Sequence, residues 1–216
     1  MMVELLQAAY AYAGTHTDEL LQALRQHLLL TAVALGIGMV VCIPLGIWTS
    51  RSRSVSLVVI NAGNTLRVVP SLAILFLAIP YFGLSFTSAA IALTILALPP
   101  ILINTDAAYR TINPAIREAA YGMGMERRQV LWQVETPLAL PVIVAGIRTA
   151  ATEVIASATL AAFIGSGGLG LYVVRGFALY SIPILLVGAI PVALLTLLAD
   201  LALGGAQRLL QPPVHS

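Results

Sequence analysis

Five long apolar runs, separated by short polar connections, leave this chain few ways to fold. They cover about Leu28 to Trp48, Val55 to Pro80, Leu84 to Ile103, Pro141 to Ile164 and Ile182 to Leu203. A helix rising 1.5 Å per residue needs about 20 mostly apolar residues to cross the ~30 Å hydrocarbon core of a bilayer. Inside hydrocarbon every backbone N–H and C=O must find its partner within the protein, so each run is expected to be helical. The scarcity of charge agrees: 9% of the 216 residues are charged, against about 25% in a soluble domain. The sequence predicts an all-α integral membrane protein, one transmembrane domain over 1–216 with about five transmembrane helices and membrane lipid around it. The second run carries Asn61, Asn64 and Arg67, which predicts a broken or partly re-entrant segment. The first run starts late, lacks a basic leader and has no A-x-A site after it, so it reads as a span and not as a cleavable signal peptide.

Arginine placement sets an expected orientation. If the spans alternate, Arg51, Arg53, Arg110, Arg117, Arg127, Arg128 and Arg208 fall on one side. Arg25 and Arg175 fall on the other, with Glu4, Asp18 and Glu19. The positive-inside rule then puts the N-terminal segment 1–27 outside and the C-terminus in the cytoplasm.

Several function classes are disfavoured. All eleven basic residues are arginine, so the lysine that reaches nucleotide phosphates in an ordinary P-loop is missing, and any ATP must bind another subunit. A net charge of +2 gives no broad basic field for nucleic acid. His16, His27 and His215 are isolated in sequence, with no metal-ligand spacing. No nucleophile, base and acid arrangement is legible, so no catalytic residue, resident metal or cofactor is expected in this chain. Cys42 lies within an apolar run and has no intrachain partner.

Residues 106–140 form the one sizeable loop, on the side read as cytoplasmic. Asn113-Pro114 is a good helix start, an asparagine cap with proline at the first position. Gly122 and Gly124 can end that helix in left-handed conformations. Glu126 to Glu135 then reads as a second short helix, stopped by Pro137. On composition alone the pair is equally an interfacial amphipathic hairpin.

Here the sequence resembles a known family. Glu118-Ala119-Ala120, followed by Gly124 and Pro137, resembles the EAA motif of bacterial ABC importer permeases, with Val134 and Thr136 where that family usually has isoleucine and leucine. Further matching stretches are Arg67 to Ala73, the EAAYGMGM run from Glu118 to Met125, Pro137 to Pro141, Gly146 to Ala150 and Ile164 to Gly170. Together they resemble the permeases of glycine betaine, carnitine and choline importers; methionine-type permeases share much of the pattern. The resemblance implies a type I ABC importer permease fold in a prokaryotic inner (plasma) membrane. It implies a second permease subunit, identical or homologous, two ATPase subunits holding ATP and Mg, and an extracytoplasmic substrate-binding protein. It implies that Glu118, Ala119, Ala120, Gly122, Gly124, Arg127, Arg128 and Pro137 couple the spans to the ATPase. The outward glycine turn Gly165, Ser166, Gly167, Gly168 and Gly170 would face the binding protein.

Asn61, Asn64, Arg67, Pro70, Ser71 and Glu153 are candidates for the translocation path or its gate, because charge inside a membrane is tolerated only against protein or water. The alternative is structural, with Arg67 and Glu153 partnering each other or nearby amides. Glu153, an acid the related permeases do not usually carry, lies about 140° around a helix from Arg148, so its partner is expected on another helix or subunit. The small residues of the fourth run, Gly146 and Ala150 to Ala162 among them, predict close packing or a lined path. The rival readings are a stand-alone secondary transporter or channel, which the EAA loop does not suit, and a membrane-embedded enzyme, for which no constellation exists.

Overall fold

The computed structural model describes residues 2–211, and all its regular structure is helical. His215 lies outside the described residues. Ten α-helices follow in order: α1 (Met2–Thr15), α2 (Thr17–Thr49), α3 (Arg53–Val68), α4 (Ser71–Phe82), α5 (Phe86–Arg110), α6 (Pro114–Gly122), α7 (Arg127–Gln129), α8 (Thr136–Ala158), α9 (Gly170–Ala178) and α10 (Ile182–Leu210). A π-helical turn, Val130–Glu135, joins α7 to α8, and a 3₁₀ turn, Leu160–Ile164, follows α8.

Four rods are long and apolar enough to cross a bilayer: α2, α5, the continuous Arg127–Ala158 and α10. The second predicted span is the broken one. Helices α3 and α4 meet at 93°, and counting the pair as one span brings the number to five. The break has a local cause. The residue before a proline is pushed out of the helical region by the ring, and Val69 accordingly sits extended at ψ 124° before Pro70.

Helix α5 is the axis of the packing. Ala89, Ala92, Leu93, Ala97 and Ile101 on it are wholly buried, against α2 on one side and α8 on the other. The small residues of α8 serve that contact: Ala150, Ala151 and Ala158 are buried, while Ala156 stays exposed. A second apolar cluster joins Ala9 of α1, Ala23 of α2, Tyr172 of α9 and Val187 of α10.

Two expectations about the loop need correction. Pro137 does not stop a helix: α7, the π turn and α8 run on as one rod. Pro137 follows directly on the π turn, whose widened ladder already breaks the i→i−4 pattern there and accommodates the ring. In that π turn the Leu131 carbonyl accepts from both the backbone N–H and the hydroxyl of Thr136, the latter at 2.7 Å. The connection is also shorter than residues 106–140, because α5 continues through Asp106 to Arg110 and an i,i+4 ion pair between those two supports the last turn.

Candidate functional site

Three places bring functional candidates together: the arginine-rich end of the bundle, the α3–α4 break, and the glycine turn before α9.

At the arginine-rich end, Asn113 caps α6 as expected, its side chain accepting from the Ala115 N–H at 3.0 Å. Gly124 takes φ +81°, and Met125 N–H returns to the Ala120 carbonyl at 3.2 Å, closing the turn. Gly122 remains helical, so only Gly124 uses the left-handed freedom. Glu126 N–H then donates to the Gln129 side chain at 2.8 Å and starts the next helix. Glu118, Ala119, Arg127, Arg128 and Pro137 are exposed, while Ala120 is buried. Ile116, Tyr121 and the 75%-exposed Met123 stand out beside Glu118, an apolar surface unusual for a short connection.

Beneath that surface lies an ionic network that sequence reasoning missed. Glu135 is 1% exposed. It receives both terminal nitrogens of Arg51, at 3.1 and 2.6 Å, and Nε of Arg117, which also donates to the Tyr109 carbonyl. Asp106, wholly buried, accepts from Thr49 at 2.9 Å, from Ser56 at 2.7 Å and from Arg110. The ends of α2 and α5, the start of α3, α6 and the π turn are thereby tied into one block. The sequence signal is two acids beside apolar runs; the arginines that meet them carry an equally good reading as markers of topology.

At the break, Arg67 donates from Nη2 to Glu153 at 3.0 Å, so Glu153 finds its partner on another helix. Arg148 instead forks onto Asp200 of α10, with two bonds of 2.6 Å. Pro70, Ser71 and the Arg67–Glu153 pair line a cavity of about 280 Å³. Asn61 and Asn64 stand outside it, exposed on α3 six and three residues before Arg67.

The glycine turn is more packed than a flexible loop. Gly165, Gly167 and Gly168 all have positive φ, but of these only Gly165 is exposed; Ser166, Gly168 and Gly170 are buried, and Gly170 already belongs to α9. Gln26 of α2 accepts from the Gly168 N–H at 3.2 Å, and Ser166 donates to the Ala161 carbonyl at 2.8 Å. A cavity of about 290 Å³ opens beside the turn between Glu19, Gln26, Tyr172 and Arg175. Burial, with the charge of Glu19 nearby, pushes the Tyr172 phenol above its ordinary range. His27, wholly buried, donates from Nε2 to the Ile155 carbonyl at 3.2 Å. No group of acids, histidines and cysteines among the described residues is arranged to hold a metal ion.

Comparison with known proteins identifies the chain as a whole. Residues 42–215 match the family model of the binding-protein-dependent transport system inner membrane component. The chain is 44% identical over 187 residues to the carnitine transport permease protein OpuCB of Listeria monocytogenes, covering 87% of this chain and 86% of that protein. It is 38% identical to the glycine betaine/carnitine/choline transport system permease protein OpuCB of Bacillus subtilis, over 93% of each. Its fold is similar to a chain of the inward-facing MetNI methionine ABC transporter, with a TM-score of 0.77 at 22% identity, covering 92% of this chain and 99% of that one. With its bundle of spans, its broken second segment and this breadth of match, the chain belongs to the family of inner membrane components of binding-protein-dependent transport systems.

Proposed function

We propose that this chain is the membrane subunit of an ATP-driven importer of small quaternary ammonium osmoprotectants such as glycine betaine, carnitine or choline. The observation that carries this is the near full-length similarity to permeases named for those solutes. The importer would hold two permease subunits, identical or homologous, two ATPase subunits with ATP and Mg, and an extracytoplasmic binding protein. Hydrolysis belongs to the ATPase, in keeping with the absence of lysine here. Aromatic residues are 6% of the chain, few from which to build a cage for a quaternary ammonium, so much of the selectivity would rest in the binding protein.

The α6 surface is the coupling element in this reading. Glu118 and the exposed Ile116, Tyr121 and Met123 present a mixed charged and apolar knob, and the ionic block behind it supports transfer of ATPase closure to the spans as a rigid rotation. The test is uptake of radiolabelled glycine betaine into proteoliposomes holding the permease, its ATPase and its binding protein. Uptake should require ATP. Gly124→Val strains a positive-φ position with open space around it, and Glu118→Lys inverts the charge of the knob, where a mismatch costs several kcal/mol. Both variants should insert normally yet lose most of their ATP-driven uptake or their hold on the ATPase. Wild-type uptake by both would remove this surface from the coupling path.

The orientation reading places the Arg51 end in the cytoplasm and the N-terminus and Ser166 outside. The pairing of Glu19 with Arg175 at 3.8 Å supports a shared side for α2's start and α9, and the Arg51–Glu135–Arg117 block supports a shared side for the arginine-rich end. Single cysteines introduced after removal of Cys42, one at Met123 and one at Gly165, should react differently with an impermeant thiol reagent in intact cells. Only the one at 165 is expected to label; labelling at 123 would reverse the topology.

A further inference from the structure

We propose that the cavity at the α3–α4 break is a subsite for a small zwitterion, whose carboxylate is taken by Arg67 and whose quaternary ammonium is taken by Glu153. The substrate would replace the ion pair. This rests on the importer reading above and gives the site a preference for solutes that carry both charges.

The first support is the character of the pair. Two other ion pairs of this chain are closed by two hydrogen bonds each, Arg51 on Glu135 and Arg148 on Asp200. Arg67 and Glu153 share a single bond of 3.0 Å, with both side chains about two-fifths exposed (41% and 42%). Arg67 Nε and Nη1 and the second oxygen of Glu153 have no hydrogen bond among the described residues. Charge at membrane depth is costly unless it is paired or faces a water-filled path. A pair left half-made there holds unused donors and acceptors of both signs.

The surroundings sort those charges. Arg67 lies beside the start of α4, where Pro70 supplies no side-chain cap to the first N–H groups. A helix N-terminus with open N–H groups favours an anion, and guanidinium adds a planar fork matched to carboxylate. Glu153 sits on the α8 side of the same cavity, near Ser157. The remaining wall is apolar, from Val69, Leu96 and Pro99, a surface suited to N-methyl groups. Paired as they are, each charge shields the other. A bound zwitterion offers each a counter-charge and leaves neither exposed to hydrocarbon. A cation without a carboxylate, such as choline, satisfies Glu153 and leaves Arg67 alone.

The test uses the assembled permease–ATPase complex in nanodiscs without binding protein, so that affinity for the membrane subunit is read directly. Radiolabelled glycine betaine and choline are the probes. Arg67→Lys keeps the charge and an ion pair with Glu153 but loses the fork. It is expected to weaken glycine betaine binding about 10-fold or more, which corresponds to about 1.4 kcal/mol, and to leave choline binding unchanged. Glu153→Gln is expected to weaken both ligands. Equal glycine betaine affinity in wild type and Arg67→Lys would overturn the subsite, as would an equal loss for both ligands, the mark of a purely structural pair. Absence of saturable glycine betaine binding to the wild-type complex would also overturn it. ATP-driven uptake by that same complex, once binding protein is supplied, would still uphold the importer reading. A complex that imports no quaternary ammonium solute would instead remove the substrate class on which both rest.

Discussion

Replacing Glu135 with leucine should destabilise this protein more than removing any other single charge. Glu135 is almost wholly buried and holds two guanidinium groups, from α6 and from the end of α2. Losing one member of a buried ionic group leaves the others uncompensated, typically at about 3–5 kcal/mol. Arg51 and Arg117 keep 35% and 26% of their side chains exposed and can turn partly to water, so the lower end of that range, about 3 kcal/mol, is expected. The thermal midpoint of the detergent-solubilised protein should fall clearly, and its abundance in membranes with it. Buried ionic groups replaced as a set by apolar residues are often neutral in stability. The triple variant Arg51→Met, Arg117→Leu, Glu135→Leu should therefore recover most of the midpoint. Its ATP-driven uptake should stay low, because α6 is no longer fixed to the spans. A Glu135→Leu protein that melts with the wild type would show that the network is not what holds α6 in place.

The same network marks where sequence reading stopped. The apolar runs were legible because helix length in a bilayer is a one-dimensional property: four of the five fall on long rods, although the fourth, Pro141 to Ile164, leaves its rod at Ala158 and ends in a 3₁₀ turn. The second run was legible in part: three polar residues signalled trouble, and Pro70 dictates where the chain turns by 93°. The cap at Asn113 and the positive φ at Gly124 followed from local chemistry and appear where that chemistry puts them. Long-range pairing is different. Arg51 and Glu135 are 84 residues apart, and Arg148 and Asp200 are 52 apart; nothing in one sequence says which acid an arginine will reach. Arg67 and Glu153 were drawn together only because each was an anomaly in its own span. Pro137 misled for a related reason: a proline is a stop signal in the middle of a helix, and the π turn that lets the rod carry one is not legible in a sequence.

Gly146→Val is expected to separate α8 from α5 and to cost the fold about as much as the loss of Glu135. A side chain at 146 would place its Cβ 2.6 Å from Cβ of Asn104 and 2.8 Å from the carbonyl oxygen of Pro100. The second of these is backbone and cannot rotate away. It also accepts from the Asn104 amide at 2.8 Å, so the intruding carbon displaces a hydrogen bond as well as a packing contact. Small residues at such crossings let membrane helices approach on van der Waals terms alone. Overpacking a well-filled contact usually costs about 1–3 kcal/mol; alanine at 146 falls in that range, and valine, branched at the same carbon, at its upper end or beyond. Gly46 makes the matching approach on the other side of α5, 2.6 Å from Cβ of Thr105, whose hydroxyl is committed to the Ile101 carbonyl at 2.7 Å. Gly36, with nothing within 4 Å of an added Cβ, is the control: alanine there should be neutral, or should stabilise α2 by up to about 1 kcal/mol through helix propensity. The thermal midpoints should rank Gly36→Ala at or above wild type, Gly146→Ala below it and Gly146→Val lowest. A Gly146→Val protein as stable as Gly36→Ala would mean that α5 and α8 are not in contact at this crossing, and the packing around α5 would have to be drawn differently.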